Sequence, residues 1–262
     1  MSYSPERIVC LSSETVELMY ALNQQHRIAG ITAFARYPVG LHRRHPVVSG
    51  FSSAKVEKIL AVKPDLILAY SYLQTDIVDA CIKAGVEVHV FTQSNLAGIL
   101  GMIDTMGRLL DCVASAAALR LDLQQQLENA ERVAQGLSQQ PRVYFEEWDE
   151  PMITGIQWVS ELIALAGGVD VFAARARSGA ARDRVVSGEE VLAADPQVII
   201  GSWCGKKFLP ESLALRPEWN KLPALQNQCV FEIASHDILV PGMTAITRGL
   251  PQLRALIQRH FS

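Results

Sequence analysis

The chain of 262 residues lacks the motifs by which many enzymes are recognised. It contains no Gly-x-Gly-x-x-Gly, no Walker A loop, no Gly-x-Ser-x-Gly elbow and no His-Glu-x-x-His. Its five cysteines fall at wide, irregular spacings, which argues against a disulfide framework or a zinc knuckle and favours a reducing compartment. Of the six histidines only His42 and His45 lie close together, in an arginine-rich stretch that we interpret as a solvated loop.

The chain also lacks a strong charge and any long apolar run. The net charge is −3 and the basic residues are scattered, so no nucleic-acid partner is predicted. Apolar runs such as 66–70 and 198–200 are far too short to span a bilayer. No long hydrophobic region or cleavage site precedes the apolar stretch 8–11, which predicts either a cytoplasmic protein or one whose leader has been removed. The 49% of hydrophobic residues are ample for a packed core.

The sequence alternates short apolar runs with segments of helical periodicity. The pattern predicts strands at 7–11, 28–32, 66–69 and 87–91, and helices at 14–22, 56–61, 75–84 and 96–110. The same alternation resumes with a strand predicted at 142–146 and continues to the end of the chain. Strands that alternate with helices indicate crossover connections and a mostly parallel sheet, so we predict an α/β fold.

One long helix interrupts this alternation. Residues 113–137 contain no proline and, before Gly136, no glycine, and leucine or alanine recurs every third or fourth residue from Leu119 onward. Such a stripe predicts a helix of roughly 24 residues, about 36 Å long. The chain is therefore predicted to divide into an N-terminal lobe at 1–112, a bridging helix at 113–138 and a C-terminal lobe at 139–262.

The second half of the chain repeats the first. Residues 56–68 align with 188–200 at a constant offset of 132 positions, each as a helix followed by proline and an apolar strand. Both halves also open on an arginine before an apolar strand, Arg7 and Arg142. We predict two similar lobes of mostly parallel sheet joined by one long helix, with a ligand cleft between the lobes lined by the loops that follow the strands.

Aromatic residues lie where those loops are expected. They are Phe34, Tyr37, Phe51, Tyr70, Trp148 and Trp203, together with Trp158 near the start of a helix. Aromatic rings bury a large area at little entropic cost and so suit a large, flat, partly apolar ligand. The alternative is that these rings pack only against their own lobes.

Acidic residues form two further features. Residues 146–150, Glu-Glu-Trp-Asp-Glu, can carry acid–base chemistry, bind a cation or remain solvated. Glu57 and Glu189 occupy matching positions of the repeat, in first helical turns where the helix dipole favours a negative charge. Ser187 and Glu190 fit a capping box, which leaves Glu189 free. Two acids related by the repeat suit docking on a basic partner with two-fold symmetry.

Six segments carry a resemblance to a known family: Arg-Ile-Val at 7–9, Arg-Tyr-Pro at 36–38, the segment 57–68, Arg-Val-Tyr at 142–144, Gly-Gly-Val-Asp-Val-Phe at 167–172, and Val-Ser-Gly-Glu-Glu-Val-Leu at 186–192. The whole chain resembles the substrate-binding proteins of ABC importers in which one long helix joins two α/β lobes. Within that class it is most similar to the cobalamin-binding proteins.

The resemblance implies roles for individual residues. Glu57 and Glu189 match the glutamates that engage arginines of the membrane permease, and Tyr37 matches an aromatic residue that lines the corrin pocket. Phe51 and Tyr70 stand where the cobalamin binders have tryptophan.

The resemblance also bears on the second lobe and on location. Trp203 lies in a corresponding loop of that lobe. His236 is a candidate cobalt ligand, with ordinary hydrogen bonding as the alternative. The resemblance further implies no intrinsic cofactor, a monomeric protein, and a periplasmic location if a signal has been removed.

We therefore predict a binding protein rather than an enzyme, with cobalamin or a related corrinoid as ligand and an ABC importer permease as partner. A ferric siderophore or haem is the alternative ligand for the same scaffold. A different alternative is a cytosolic cofactor-binding or cofactor-processing enzyme that uses residues 146–150 or Cys204. A third is a protein-interaction module with no small-molecule ligand.

Overall fold

A computed structural model describes residues 4–261. The prediction about a removed leader rests partly on the first three residues, which lie outside the described part. The residues separate into two compact units. The first unit consists of the chain up to Gln93 together with residues 97–123. The second unit consists of residues 94–96 and the chain from Gln124 onward. The boundaries predicted at 112 and 138 remain predictions.

The first unit is built on a parallel sheet of five strands. The strands are β1 (Ile8–Cys10), β2 (Ile28–Thr32), β3 (Val47–Ser49), β4 (Leu66–Tyr70) and β5 (Glu87–Phe91). They lie in the order β3-β2-β1-β4-β5, and every neighbouring pair is parallel. The central strands β1 and β4 are apolar and almost wholly buried, as expected for strands covered on both faces.

The helices of the first half of the chain lie between these strands or follow the last of them. They are α1 (Ser13–Ala21), α2 (Leu41–Arg44), α3 (Val56–Ala61), α4 (Thr75–Lys83), α5 (Leu96–Leu109) and α6 (Val113–Gln135). The long helix predicted from the leucine and alanine stripe is α6, which has 23 residues. The stripe is buried at Leu123, Ala130 and Ala134, so the periodicity marks the packed face. No helix among residues 4–261 is both long and apolar enough to cross a membrane.

The second unit contains another sheet of five strands. The strands are β6 (Arg142–Asp149), β7 (Met152–Thr154), β8 (Val169–Asp170), β9 (Val198–Gly201) and β10 (Val230–Glu232). Their order is β10-β9-β6-β7, with β8 also paired to β6, and only the β6–β7 pair is antiparallel. The helices are α7 (Gln157–Ala166), α8 (Ala173–Ala176), α9 (Gly188–Ala194), α10 (Pro210–Leu213), α11 (Pro223–Gln226), α12 (Ser235–Ile238) and α13 (Leu250–Phe261).

The internal repeat is visible in backbone detail. Lys63 and Asp195 occupy equivalent positions directly before a proline, and both have a left-handed φ of 48°. Arg7 Nε donates a hydrogen bond to the carbonyl of Lys63 at 3.0 Å, and Arg142 Nε donates one to the carbonyl of Asp195 at 2.8 Å. In both units the opening arginine thus satisfies the carbonyl that the left-handed turn leaves without a helical partner. The prediction of two similar α/β lobes is confirmed.

Strand β6 is longer than the sequence predicts. Its parallel partner β9 ends at Gly201, opposite Glu146, which is where the predicted strand also ends. Beyond that point β7 pairs with β6 on the other side, Trp148 opposite Ile153 and Asp149 opposite Met152. Trp148 and the acidic cluster therefore lie in an extended hairpin and not in a loop, which corrects the sequence-based interpretation.

Candidate functional site

Each sheet has one strand from which the connections lead to neighbouring strands on opposite sides. In the first unit β2 and β4 flank the first strand β1, and in the second unit β8 and β9 flank β6. Ligands of open α/β sheets bind beyond the carboxyl ends of the strands at such points. A ligand site is therefore expected at the segments that follow β1, β4, β6 and β9.

In the second unit this region is organised around the buried carboxylate of Glu146. It accepts hydrogen bonds from Tyr144 Oη at 2.9 Å, Trp203 Nε1 at 3.1 Å, and both terminal nitrogens of Arg216 at 2.6 and 2.9 Å. Burial, reinforced by the charge of Glu146, raises the pKa of Tyr144. Burial, the largest single influence, would lower the pKa of Arg216, but the hydrogen bond to Glu146 and the negative charges around the guanidinium together raise that pKa. Glu146 is thus a structural anchor with both oxygens occupied.

A second ion pair lies at the exposed end of this cluster. The ammonium of Lys206 lies 2.7 Å from Asp149 Oδ2. It also lies 4.6 Å from the ring centroid of Trp148 and 4.7 Å from that of Trp203. A cation held between two indole rings and a carboxylate fixes the position of all three. Trp148 remains half-buried, while Trp203 is only 5% exposed and packs edge-on against Phe208.

A third ion pair lies deeper. Arg184 is buried and donates to both oxygens of Glu147, at 2.6 and 3.2 Å, and to the carbonyl of Thr154. The neighbouring Cys204 is exposed, yet its thiol is partly desolvated, and this together with the charge of Glu147 raises its pKa. A thiol with a raised pKa stays protonated at neutral pH and is a poor nucleophile. The geometry therefore gives no support to acid–base or cysteine chemistry here.

The aromatic residues predicted in the first unit lie at the surface. Phe34 and Phe51 are 49% and 41% exposed, and their rings meet edge to face at a centroid distance of 6.3 Å. Tyr70 is half-buried, and its hydroxyl donates to the carbonyl of Gln93 at 3.2 Å. Tyr37 is also half-buried. Rings held in place with an open face suit contact with an apolar ligand.

Sequence reasoning missed Gln74, which holds this surface together. Its side chain is buried and donates to the carbonyls of Leu11 at 2.9 Å and Phe51 at 2.7 Å. Its Oε1 accepts from the backbone N–H of Tyr70 at 2.9 Å. One amide thus ties together the segments after β1, β3 and β4. A lone glutamine carries no signal of this role in the sequence, nor do Arg184 and Arg216.

Two predicted ligand contacts lie elsewhere. Trp158 is only 3% exposed, and its Nε1 donates to the carbonyl of Ile238 at 2.9 Å, so its ring is part of the core of the second unit. His236 is half-buried in α12, with Nε2 3.8 Å from Asp237 Oδ1. Among residues 4–261 no group of three histidine, cysteine, aspartate or glutamate side chains is placed to hold a metal ion.

The matching glutamates are exposed in the first turns of their helices, Glu57 in α3 and Glu189 in α9. The capping box predicted beside Glu189 is present: Ser187 Oγ accepts from the N–H of Glu190 at 3.2 Å, and Glu190 Oε2 accepts from the N–H of Ser187 at 2.8 Å. Glu190 also pairs with Arg175. Glu189 takes no part in this network.

Solved structures of periplasmic solute-binding proteins share the fold over nearly the whole chain. A periplasmic solute-binding protein of Staphylococcus epidermidis has a TM-score of 0.84 at 20% identity, covering 97% of this chain and 99% of that one. The vitamin B12-binding protein BtuF of Vibrio cholerae has a TM-score of 0.77 at 23% identity, covering 98% of each. The haem-binding protein RhuT of Roseiflexus has a TM-score of 0.80 at 21% identity, covering 97% and 99%. These likenesses define the class of fold.

The sequence comparisons go one step further. Residues 8–236 match the family described as periplasmic binding protein, and the chain belongs to that family. It is 25% identical over 234 residues to the vitamin B12-binding protein of Vibrio parahaemolyticus, covering 88% of this chain and 82% of that protein. It is 27% identical over 199 residues to a cobalamin-binding protein of Halobacterium salinarum, covering 75% of this chain but only 53% of that protein. Proteins of the family carry ligands such as vitamin B12 or haem rather than intrinsic cofactors, and deliver them to an ABC permease.

Proposed function

We propose that this substrate-binding protein of the ABC importer type carries cobalamin or a related corrinoid. The observation that supports this most is the likeness to the vitamin B12-binding protein of Vibrio parahaemolyticus, which extends over 88% of the chain. The exposed and half-buried aromatic rings beyond the strand ends add a physical reason. A corrin ring is a broad, largely apolar macrocycle, and such rings contact it with little loss of side-chain entropy.

The ligand contacts that we propose are restricted to rings with accessible faces. In the first unit these are Phe34, Tyr37, Phe51 and Tyr70, and in the second unit Trp148. Trp203 supports Trp148 rather than contacting the ligand itself. Its hydrogen bond to Glu146 and its contact with Lys206 hold the end of the β6–β7 hairpin in place. For His236 we propose either a polar contact with the ligand or coordination of its cobalt.

The same contacts support a carrier rather than an enzyme. Each acid of the 146–149 stretch is held by a basic partner: Glu146 by Arg216, Glu147 by Arg184, and Asp149 by Lys206. An acid that is already ion-paired and hydrogen-bonded is a poor proton shuttle. The raised pKa of the Cys204 thiol argues against the other candidate nucleophile.

The ligand is tested by titrating the purified protein with cyanocobalamin, followed by calorimetry and by the visible absorption of the corrin ring. We expect one-to-one binding. Phe51→Ala and Trp148→Ala should each weaken it by about tenfold or more, the scale of removing an aromatic anchor. Leu215→Ala, at a side chain 86% exposed in the second unit, is the matched control and should leave the affinity unchanged.

Parallel titrations with haemin and a ferric siderophore separate the alternatives. Tight binding of either, with no binding of cyanocobalamin, would contradict the corrinoid and keep the carrier. Turnover of a bound tetrapyrrole that is lost in Glu147→Gln or Cys204→Ser, while binding persists, would contradict the carrier itself.

We further propose that Glu57 and Glu189 dock the protein on its permease. Both are exposed at equivalent positions of the repeat, and a basic partner with two-fold symmetry would meet both at once. Reversing both charges to lysine should weaken the complex in detergent far more than either change alone, and more so at low salt. Glu211→Lys, at an exposed acid in α10, is the control. Equal binding by the double variant would contradict the docking role.

A further inference from the structure

Two short segments follow neighbouring strands of the first unit, 33–38 after β2 and 50–55 after β3. The hydroxyl of Thr32, at the end of β2, ties them together. It donates to the carbonyl of Gly50 at 3.1 Å and accepts from the N–H of Phe34 at 3.3 Å. The segments are thus held side by side at the carboxyl end of the sheet, where two of the rings proposed to contact the ligand meet edge to face. Polar side chains of these segments therefore flank the proposed ligand surface.

These two segments carry positive charge and no acid. Arg36 and Lys55 are exposed, and within residues 4–261 neither side chain forms an ion pair or a hydrogen bond. The chain has no aspartate or glutamate between Glu17 and Glu57. A cation without an acid in its own segment is available to an anionic group of a bound molecule.

Its position sets Arg36 apart from the other arginines of this acid-free stretch. Arg27, directly before β2, lies at the opposite edge of the sheet and donates to the carbonyls of Pro5 and Leu110 at 3.3 and 3.1 Å. The two arginines of α2 precede β3 and therefore lie toward the amino end of that strand. Arg36 comes shortly after the end of β2, at the carboxyl edge where ligands of such sheets bind.

The turn that carries Phe51 adds two hydroxyl groups. It is closed by a hydrogen bond from the N–H of Gly50 to the carbonyl of Ser53 at 2.8 Å, which leaves Phe51 and Ser52 at its tip. Ser52 and Ser53 are exposed, and in the part of the chain that the structure describes their hydroxyls make no hydrogen bond. Arginine, lysine and serine side chains are groups with which proteins bind phosphodiesters. Together with Arg36, the turn therefore offers the donors that an anionic phosphate needs.

We infer that Arg36 and the serine hydroxyls of this turn bind the phosphodiester of the nucleotide loop of cobalamin. The inference rests on the proposed corrinoid ligand and deepens it, because it selects the complete cofactor over corrinoids that lack the loop. The phosphodiester is the one anionic group on the periphery of cobalamin, whose other side chains are neutral amides. Arg36 follows Phe34 by two residues, at most about 7 Å between α-carbons, so its guanidinium can reach an anion at the edge of a macrocycle on the Phe34 ring. That planar group can engage two phosphate oxygens at once.

The test compares three probes by titration of the full chain, read from the corrin absorption. They are cyanocobalamin, cobinamide phosphate, which keeps a phosphate but lacks the nucleotide base, and dicyanocobinamide, which lacks both. We expect the first two to bind about three- to tenfold more tightly than dicyanocobinamide, the scale of an exposed charge pair with hydrogen bonds.

Variants then assign this ratio of dissociation constants to residues. Arg36→Gln should bring the ratio close to one, Arg36→Lys should give an intermediate value, and Ser52→Ala combined with Ser53→Ala should lower it less. The matched control is Arg108→Gln, which should keep the full ratio. Arg108 is an exposed arginine near the end of α5, and that end lies beside Arg27 at the opposite edge of the sheet.

Equal binding of all three probes by the unaltered protein would overturn the inference, and so would a ratio that survives Arg36→Gln. Weak binding of cobinamide phosphate beside tight binding of cyanocobalamin would assign the preference to the nucleotide base, which also overturns it. In each of these cases a corrinoid still binds, so the proposed function stands. Absence of binding by every corrinoid would instead contradict the proposed function, and the inference with it.

Discussion

Glu14 is a buried carboxylic acid at the start of α1, and it makes the stability of the protein depend on pH. The residue is 2% exposed, and its Oε1 has no hydrogen-bond partner among residues 4–261. Burial raises its pKa from the ordinary value of 4.5 to about 7, against the opposing effect of a hydrogen bond from Ser12. The folded protein therefore keeps a proton on Glu14 at pH values where the unfolded chain has lost it.

The magnitude follows from the shift. A difference of about 2.5 pKa units corresponds to about 3 kcal/mol of unfolding free energy. The stability that the protonated carboxyl contributes is fully present below pH 4.5 and is lost as the pH rises to about 7. At pH 8 the folded state carries the whole cost of a buried, ionised carboxylate.

Glu14→Gln removes this titration, since the amide is neutral at every pH. Urea denaturation at pH 5 and pH 8 should show that the variant is more stable than the parent at pH 8 by up to about 3 kcal/mol, with a much smaller difference at pH 5. Glu87→Gln, at an exposed acid in β5 of the same unit, is the matched control and should give no such pH-dependent difference. An equal effect of Glu14→Gln at both pH values would refute the reasoning.

Three further predictions concern the second unit. Arg216→Leu leaves the buried carboxylate of Glu146 uncompensated and should lower the unfolding free energy by about 3–5 kcal/mol in chemical denaturation. Gly201→Ala places a Cβ 2.0 Å from the ring of Phe208 and should destabilise by about 1–3 kcal/mol, measured as a lower denaturation midpoint. Alkylation of Cys204 by iodoacetamide at pH 7 should be slower than that of free cysteine, because its raised pKa depletes the thiolate.

Each of these predictions has its own control. Adding Glu146→Leu to Arg216→Leu should recover part of the lost stability, because the unpaired charge is gone. Adding Phe208→Leu should reduce the loss of unfolding free energy that Gly201→Ala causes. A loss that stays the same would contradict the proposed clash. Glu147→Gln should speed alkylation of the thiol, and an unchanged rate would show that its charge has no part in the shift.

Local patterns predicted most of the fold. The leucine and alanine stripe predicted a helix at 113–137, and the structure has it at Val113–Gln135. The strand at Ile28–Thr32 and the helix at Val56–Ala61 have the predicted bounds. The capping box at Ser187 was predictable for the same reason. Each of these features is set by interactions within a few residues, which periodicity and capping record directly.

The candidate site was predicted less completely, because burial of a single ring depends on distant parts of the chain. Trp158 was predicted as a ligand contact near the start of a helix, yet α7 is buried along most of its length and its indole lies in the core. Strand β6 continued past its predicted end because β7 supplied a second pairing partner. Periodicity within one segment carries no information about which other segment will cover it.

The sequence by itself determined the alternation of helices and strands, the long helix, the repeat and the aromatic character of the strand ends. Only the tertiary structure decided what the acids at 146–149 do. Their partners Arg184, Lys206 and Arg216 lie 37, 57 and 70 positions away along the chain. A charge in a sequence is free to be a catalyst, a cation ligand or a solvated group. It becomes a structural ion pair only when folding brings an opposite charge within hydrogen-bonding distance and removes the water around both.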